Sequence, residues 1–241
     1  MAEENPFEHM QQFLSEFKGE INIINEKIDI ALQIEYFDMS KDVKKQDALS
    51  NWEEKEETLK DLSIPLETKK KILVQLASIE DVKAYRIIER FTEKAEENIK
   101  HWSLLALQES RMLLQSKLLD QSQVLISTGL GGIGNKLRYF FVIFTNNEIA
   151  FSDFQQKIIK NEFEYLLKKN NAEIEEIKFL DNIATFLLLI PLNVPIQDLL
   201  RNTITECNQY GNFLKDNCII TNVKILEIDE IKNFIKSPEK Q

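Results

Sequence analysis

From Leu137 onward, apolar runs of strand length alternate with segments of helical period, and their order constrains the fold more than any other feature of the sequence. The run LRYFFVIFT is continuously β-branched and aromatic, the pattern of a strand buried on both sides. Ser152, with Gln155 three residues on, forms a capping box that opens the helix FQQKIIKNEFEYLLKK. AEIEEIKFL and IATFLLLIP flank Asp181 and Asn182, a pair suited to a tight hairpin turn. A second helix is predicted from near Pro195 to Gly211, with proline early and glycine at the end. NCIITNVKILEI reads as the last strand and DEIKNFIK as a short closing helix. The order is βαββαβ.

That order resembles a ferredoxin-like domain, which implies an antiparallel sheet with two helices on one face. LRYFFVIF and FLLLIPL are apolar on both alternating faces, whereas a half-solvated antiparallel strand alternates. The face opposite the helices therefore needs a cover, and contact between domains within the monomer is the expectation, with a second copy or a ligand as alternatives. Ferredoxin-like RNA readers offer aromatics on that face, and Tyr139, Phe141 and Phe186 are the residues to consider. IATFLLLIP lacks the basic and Gly-aromatic pattern of such readers, so these rings are expected in the core.

The first half has a different period. Phe7, Met10, Leu14, Phe17, Ile21, Ile24, Ile28 and Ala31 are spaced by threes and fours, which predicts one long helix over residues 7–31, packed in its own core or forming a homodimer seam. A charged helix over 42–61 follows, then a break at Ser63, Ile64 and Pro65, and helices over 67–77 and from Ser78 to about 93. A last helix carries Ile99, Trp102, Leu105, Ala106, Met112 and Leu113. KKILVQLASIEDVKAYRIIERF and IKHWSLLALQESRMLL together resemble HEAT-like repeats, in which paired helices bury small and aliphatic residues against the next pair. The expected fold class is α+β: a HEAT-like helical domain over 1–120, then a ferredoxin-like domain over 121–241.

Charge is divided unevenly between these halves. Residues 1–120 hold 17 basic and 25 acidic side chains, and residues 121–241 hold 13 and 15. A duplex binder needs a basic footprint to displace condensed counterions, so bulk charge disfavours duplex nucleic acid. Cys207 and Cys218 lack CxxC spacing and form neither a disulfide framework nor a metal site. The first residues, MAEENPFEHM, lack the basic and apolar regions of a secretory signal, and no apolar run approaches the roughly 20 residues of a membrane span. A cytoplasmic location is the expectation.

Four of the six glycines fall in STGLGGIGNKLR, at Gly129, Gly131, Gly132 and Gly134. Glycine is favoured where φ is positive or where another group approaches the backbone closely. Walker and dinucleotide motifs place such glycines before a helix, and here they lead into a strand. Two readings stay open. One is a connector; the other is a binding loop built from Ser127, Thr128, Gly129, Gly131, Gly132, Gly134 and Asn135, with Lys136 and Arg138 supplying charge. Catalytic constellations are poor: His9 and His101 are far apart, Glu109, Ser110 and Arg111 read as helical surface, and no acid or thiol cluster has metal-ligand spacing. The carboxylates of residues 53–57 read as a solvated face. No cofactor is implied. The functional expectation is a non-enzymatic interaction or regulatory protein that engages a protein or ribonucleoprotein partner through the helical surface and the glycine loop. A small-ligand or phosphate sensor is the alternative, and an enzyme built on the loop the third reading.

Overall fold

The computed structural model describes residue 17 and residues 19–44 and 52–236, which divide into two compact units. Among the described residues, one unit is formed by residues 19–24 and 28–127, the other by residue 17 and residues 25–27 and 128–236.

The helical unit begins with a strand. β1 (Glu20–Ile23) pairs in parallel with β2 (Gln123–Ile126), in the register Glu20 to Gln123 through Ile23 to Ile126. Asn22 Nδ2 reinforces the pair by donating to Gln123 Oε1 at 2.6 Å. Residues 19–29 are thus not helical, which corrects the single long helix expected over 7–31; its positions up to 16 lie outside the described residues. Isoleucines at 21, 23 and 24 suit a pleated surface as well as a helical one, and the partner strand a hundred residues away decides between them. The helices are α1 (Ile30–Lys44), α2 (Trp52–Lys60), α3 (Leu66–Ala77), α4 (Val82–Lys94) and α5 (Glu97–Leu119). The charged segment expected as one helix over 42–61 is described only in part, as the end of α1 and as α2. Asp81, rather than Ser78, caps α4 by accepting from the Lys83 amide at 2.7 Å. α5 ends where Asp120 turns left-handed with φ 49°.

Trp102 of α5 centres this core. Its indole N–H donates to the Lys70 carbonyl at 3.1 Å, and its ring meets Tyr36 edge-on at 5.2 Å. The same helix corrects the reading of Glu109 and Ser110 as surface, because both are buried. Glu109 is tolerated there because the hydroxyls of Tyr36 and Ser40 each donate to its carboxylate at 2.7 Å.

The second unit has the ferredoxin-like arrangement. β4 (Lys136–Phe144), α6 (Asp153–Lys169), β5 (Glu173–Leu180), β6 (Ile183–Pro191), α7 (Ile196–Asn208) and β7 (Ile219–Thr221) give an antiparallel sheet ordered β7-β4-β6-β5. A two-residue strand, β3 (Gly132–Ile133), lies on the β7 side of β4 at its start. Ser152 and Gln155 form the reciprocal capping box of α6, and the β5–β6 hairpin turns at Asp181, with φ 52°, and Asn182. The last strand is shorter than the expected run over 217–228, and α8 (Ile228–Lys236) follows it.

The two faces of this sheet are covered differently. Phe141 and Phe186 face α6, where the Phe186 ring stacks on Phe163 at 4.3 Å, and Tyr139 is also buried. On the opposite face, Phe140, Val142, Phe144, Ile183 and Leu187 pack against Leu130 of the glycine loop, Leu226, and Ile231 of α8. The cover expected from another domain is therefore provided within this unit by its own loop and closing helix. Burying side chains of this size stabilises by about 1.5–3 kcal/mol each, which drives a short helix onto the sheet.

Candidate functional site

The glycine loop is folded tightly against its own unit. Gly131, with φ 65°, closes a turn in which its amide donates to the Thr128 carbonyl at 3.2 Å. Gly132 and Ile133 then pair with Leu137 and Lys136, leaving Gly134 and Asn135 as a two-residue hairpin turn. Gly134, with φ 61°, takes the first central position, as the type II′ geometry requires. Gly129 serves by close approach: a Cβ there would lie 1.7 Å from the backbone oxygen of Val223. The adjacent Leu130 amide donates to the Asn222 carbonyl at 3.0 Å, so the loop is clipped to the segment after β7.

The loop's two cations are engaged by carboxylates. Lys136 Nζ lies 2.5 Å from Glu173. Arg138 is 7% exposed and grips Glu175 with Nε at 2.5 Å and Nη2 at 2.8 Å, while Nη1 donates to the Leu130 carbonyl at 2.7 Å and to that of Asn25 at 3.4 Å. The irregular register between Ile174 and Glu176 places Glu175 for this fork. The arginine thus ties the loop to the far strand of the sheet. Ser127 Oγ donates to Gln33 Oε1, and the Thr128 hydroxyl reaches the Gly131 carbonyl at 3.3 Å.

A second surface, not singled out in the sequence, lies along α6. Phe154, Lys157, Asn161, Tyr165 and Lys168 recur at steps of three and four and are all exposed, opposite the buried face of Ile159, Phe163 and Leu167. Phe154 is 67% exposed and Tyr165 65%, high values for large rings on a helix whose apolar side already has a core. Lys160 and Lys169 flank the row, and Lys160 Nζ stands 5.5 Å from the Phe179 ring centre. Among the described residues none of these four lysines enters an ion pair. The acids nearby are Asp153 at the helix start, Glu164 beside the row, and Glu162 on the side toward Tyr210, whose phenol it pushes above the ordinary range. The spacing was available in the sequence as an exposed helical stripe. Among the described residues no cluster of His, Cys, Asp and Glu could hold a metal, and no helix is long and apolar enough to cross a membrane.

No family model matches the sequence, and no curated protein does. Among solved structures, the chain is similar to a candidate transposase from Deinococcus radiodurans R1, at 14% identity and a TM-score of 0.38, over 46% of this chain and 96% of that one. It is also similar to a REP-associated tyrosine transposase bound to a REP hairpin, at 12% identity and a TM-score of 0.33, over 44% of this chain and 70% of that one. Two expectations are corrected against these structures. The reading as a non-enzymatic interaction or regulatory protein is withdrawn, and so is the expectation against duplex nucleic acid. The physical reason is that bulk charge averages over the whole surface and does not register a local row of lysines.

Proposed function

We propose that the C-terminal unit handles nucleic acid and grips a strand with unpaired bases along the outer face of α6. The observation that carries this reading is the row in which exposed Phe154 and Tyr165 alternate with Lys157 and Lys168, which form no ion pair among the described residues. Nucleic-acid strands are held by two complementary terms, stacking of bases on aromatic faces and neutralisation of phosphates by cations. The row supplies both over fifteen residues, whose fourteen steps span about 21 Å at 1.5 Å of rise per residue. Stacking needs unpaired bases, which a single strand or the loop of a hairpin offers to this face. A reducing, cytoplasmic setting belongs to the same reading, since Cys207 and Cys218 are not bonded to each other.

Anisotropy of a labelled single strand and of a labelled hairpin, titrated with the full chain over a salt series, tests the proposal. Removing two phosphate-contacting lysines in K157Q/K168Q is expected to weaken binding and to reduce the slope of log affinity against log salt by about 1.4 for a single strand. F154A/Y165A is expected to weaken binding by tenfold or more with the slope retained, as loss of stacking requires. Unchanged affinity and slope in both folded variants would overturn the proposal.

A further inference from the structure

The helical unit carries a cavity of about 780 Å³ between α2, the 61–66 turn, α3, α4 and the start of α5. Its size falls within the roughly 300–1,000 Å³ of small-ligand sites. Leu59, Ile87 and Ile99 form an apolar floor and are themselves buried, and Ile64, Leu66 and Phe91 line the walls. The lining also contains Lys60, Lys69, Arg90 and Lys94 against two acids, Glu56 and Glu96. Glu56 is already satisfied: Arg90 donates to it at 2.8 Å and Lys60 lies 3.4 Å away. Lys69 and Lys94 enter no ion pair among the described residues, although Asp61 lies within the field of Lys69. Neighbouring cations behave otherwise, for Lys70 is held by Glu35 and Glu67, and Arg86 by Glu89.

We infer that this cavity binds an anionic amphiphile, a single alkyl chain ending in a carboxylate or phosphate. An apolar floor with net positive lining selects a ligand apolar along its length and negative at one end. The contrast is strongest in a half of the chain where acids outnumber bases, because a solvated surface of average composition would not collect four cations around one hollow. The chain would lie over Leu59, Ile87 and Ile99, and the head group would reach Lys69 and Lys94.

Calorimetry on the full chain, below the micelle threshold of each probe, tests the inference with laurate, dodecyl phosphate, dodecanol and inorganic phosphate. Laurate and dodecyl phosphate are expected to bind one per chain, with the ratio between them showing which head group is preferred. Dodecanol should bind at least tenfold more weakly, and inorganic phosphate should not bind. K69Q/K94Q, two exposed or half-buried positions whose change leaves the floor intact, should cost at least tenfold for laurate and leave dodecanol unaltered. Failure of both anionic probes to bind, equal affinity for dodecanol, or insensitivity to K69Q/K94Q would overturn the inference. So would an acidic amphipathic peptide that binds where laurate does not.

Discussion

Replacing Gly129 by alanine should unfasten the glycine loop from the segment after β7. The added Cβ would stand 1.7 Å from the Val223 carbonyl oxygen and 2.6 Å from its carbon, both main-chain atoms that cannot rotate away. Ordinary contact begins near 3.4 Å, so one of the two backbones must move by well over an ångström. That movement breaks the hydrogen bond that the Leu130 amide donates to the Asn222 carbonyl, a loss of about 1 kcal/mol. It also draws Leu130, only 3% exposed, out of the cluster it shares with Phe140, Leu226 and Ile231, which costs about 1.5–3 kcal/mol at full loss and less if the side chain is only loosened. A total of about 3 kcal/mol lowers Tm by about 6–12 °C for a chain of this size. G134A is the control: with φ 61° and nothing within 4 Å, its Cβ meets strain alone, about 1–2 kcal/mol. Differential scanning calorimetry of both variants distinguishes close approach from conformational strain. A G129A protein melting within 1 °C of the parent, or no lower than G134A, would refute the packing argument.

Two further outcomes follow from buried groups. The Cys207 thiol, pushed up to about 12 chiefly by burial, should escape alkylation in the native protein at pH 8 while exposed Cys218, whose thiol partial burial also raises, reacts more slowly than a free thiol; mass spectrometry should show one label per chain, and two after denaturation. Burial, followed by the Glu109 charge, raises the Tyr36 phenol well above 10, so its contribution to stability is complete below about pH 10 and is lost as pH rises through the folded value; denaturant titrations from pH 8 to 11 should show a shallower decline in Y36F than in the parent, with Y36F about 1–2 kcal/mol less stable at pH 8.

The elements with short-range signals were legible in the sequence. Ser152 and Gln155 name the start of α6, Asp181 and Asn182 name a hairpin, and the alternation from Leu137 onward carries the order of the sheet. What escaped depends on partners far along the chain. Ile21 and Ile24 fit a helical stripe until β2 is known to pair beside them. Glu109 looks like surface until Tyr36 and Ser40, some seventy residues earlier, are brought to it. Lys136 and Arg138 look like free charge beside glycines, because nothing local shows that Glu173 and Glu175 will come up two strands away. The lysine and aromatic row of α6 has its spacing in the sequence, but which side of the helix stays exposed is decided by the sheet against which Ile159, Phe163 and Leu167 are buried.

The parallel pairing of β1 with β2 bears on the order in which the helical unit folds. Glu20 and Gln123 are 103 positions apart, and joining the ends of a flexible segment that long costs on the order of 4 kcal/mol in chain entropy before any contact repays it. The helices between them close shorter spans, with Trp102 reaching Lys70 and Tyr36 and Glu109 reaching Tyr36 and Ser40, and they carry the Trp102 core with them. The ends of the unit should therefore zip together last, once helical collapse has shortened the distance to be closed. Substitutions in β1 or β2 would then speed unfolding and leave the folding rate almost untouched, the kinetic behaviour of a latch that shuts after the box is built.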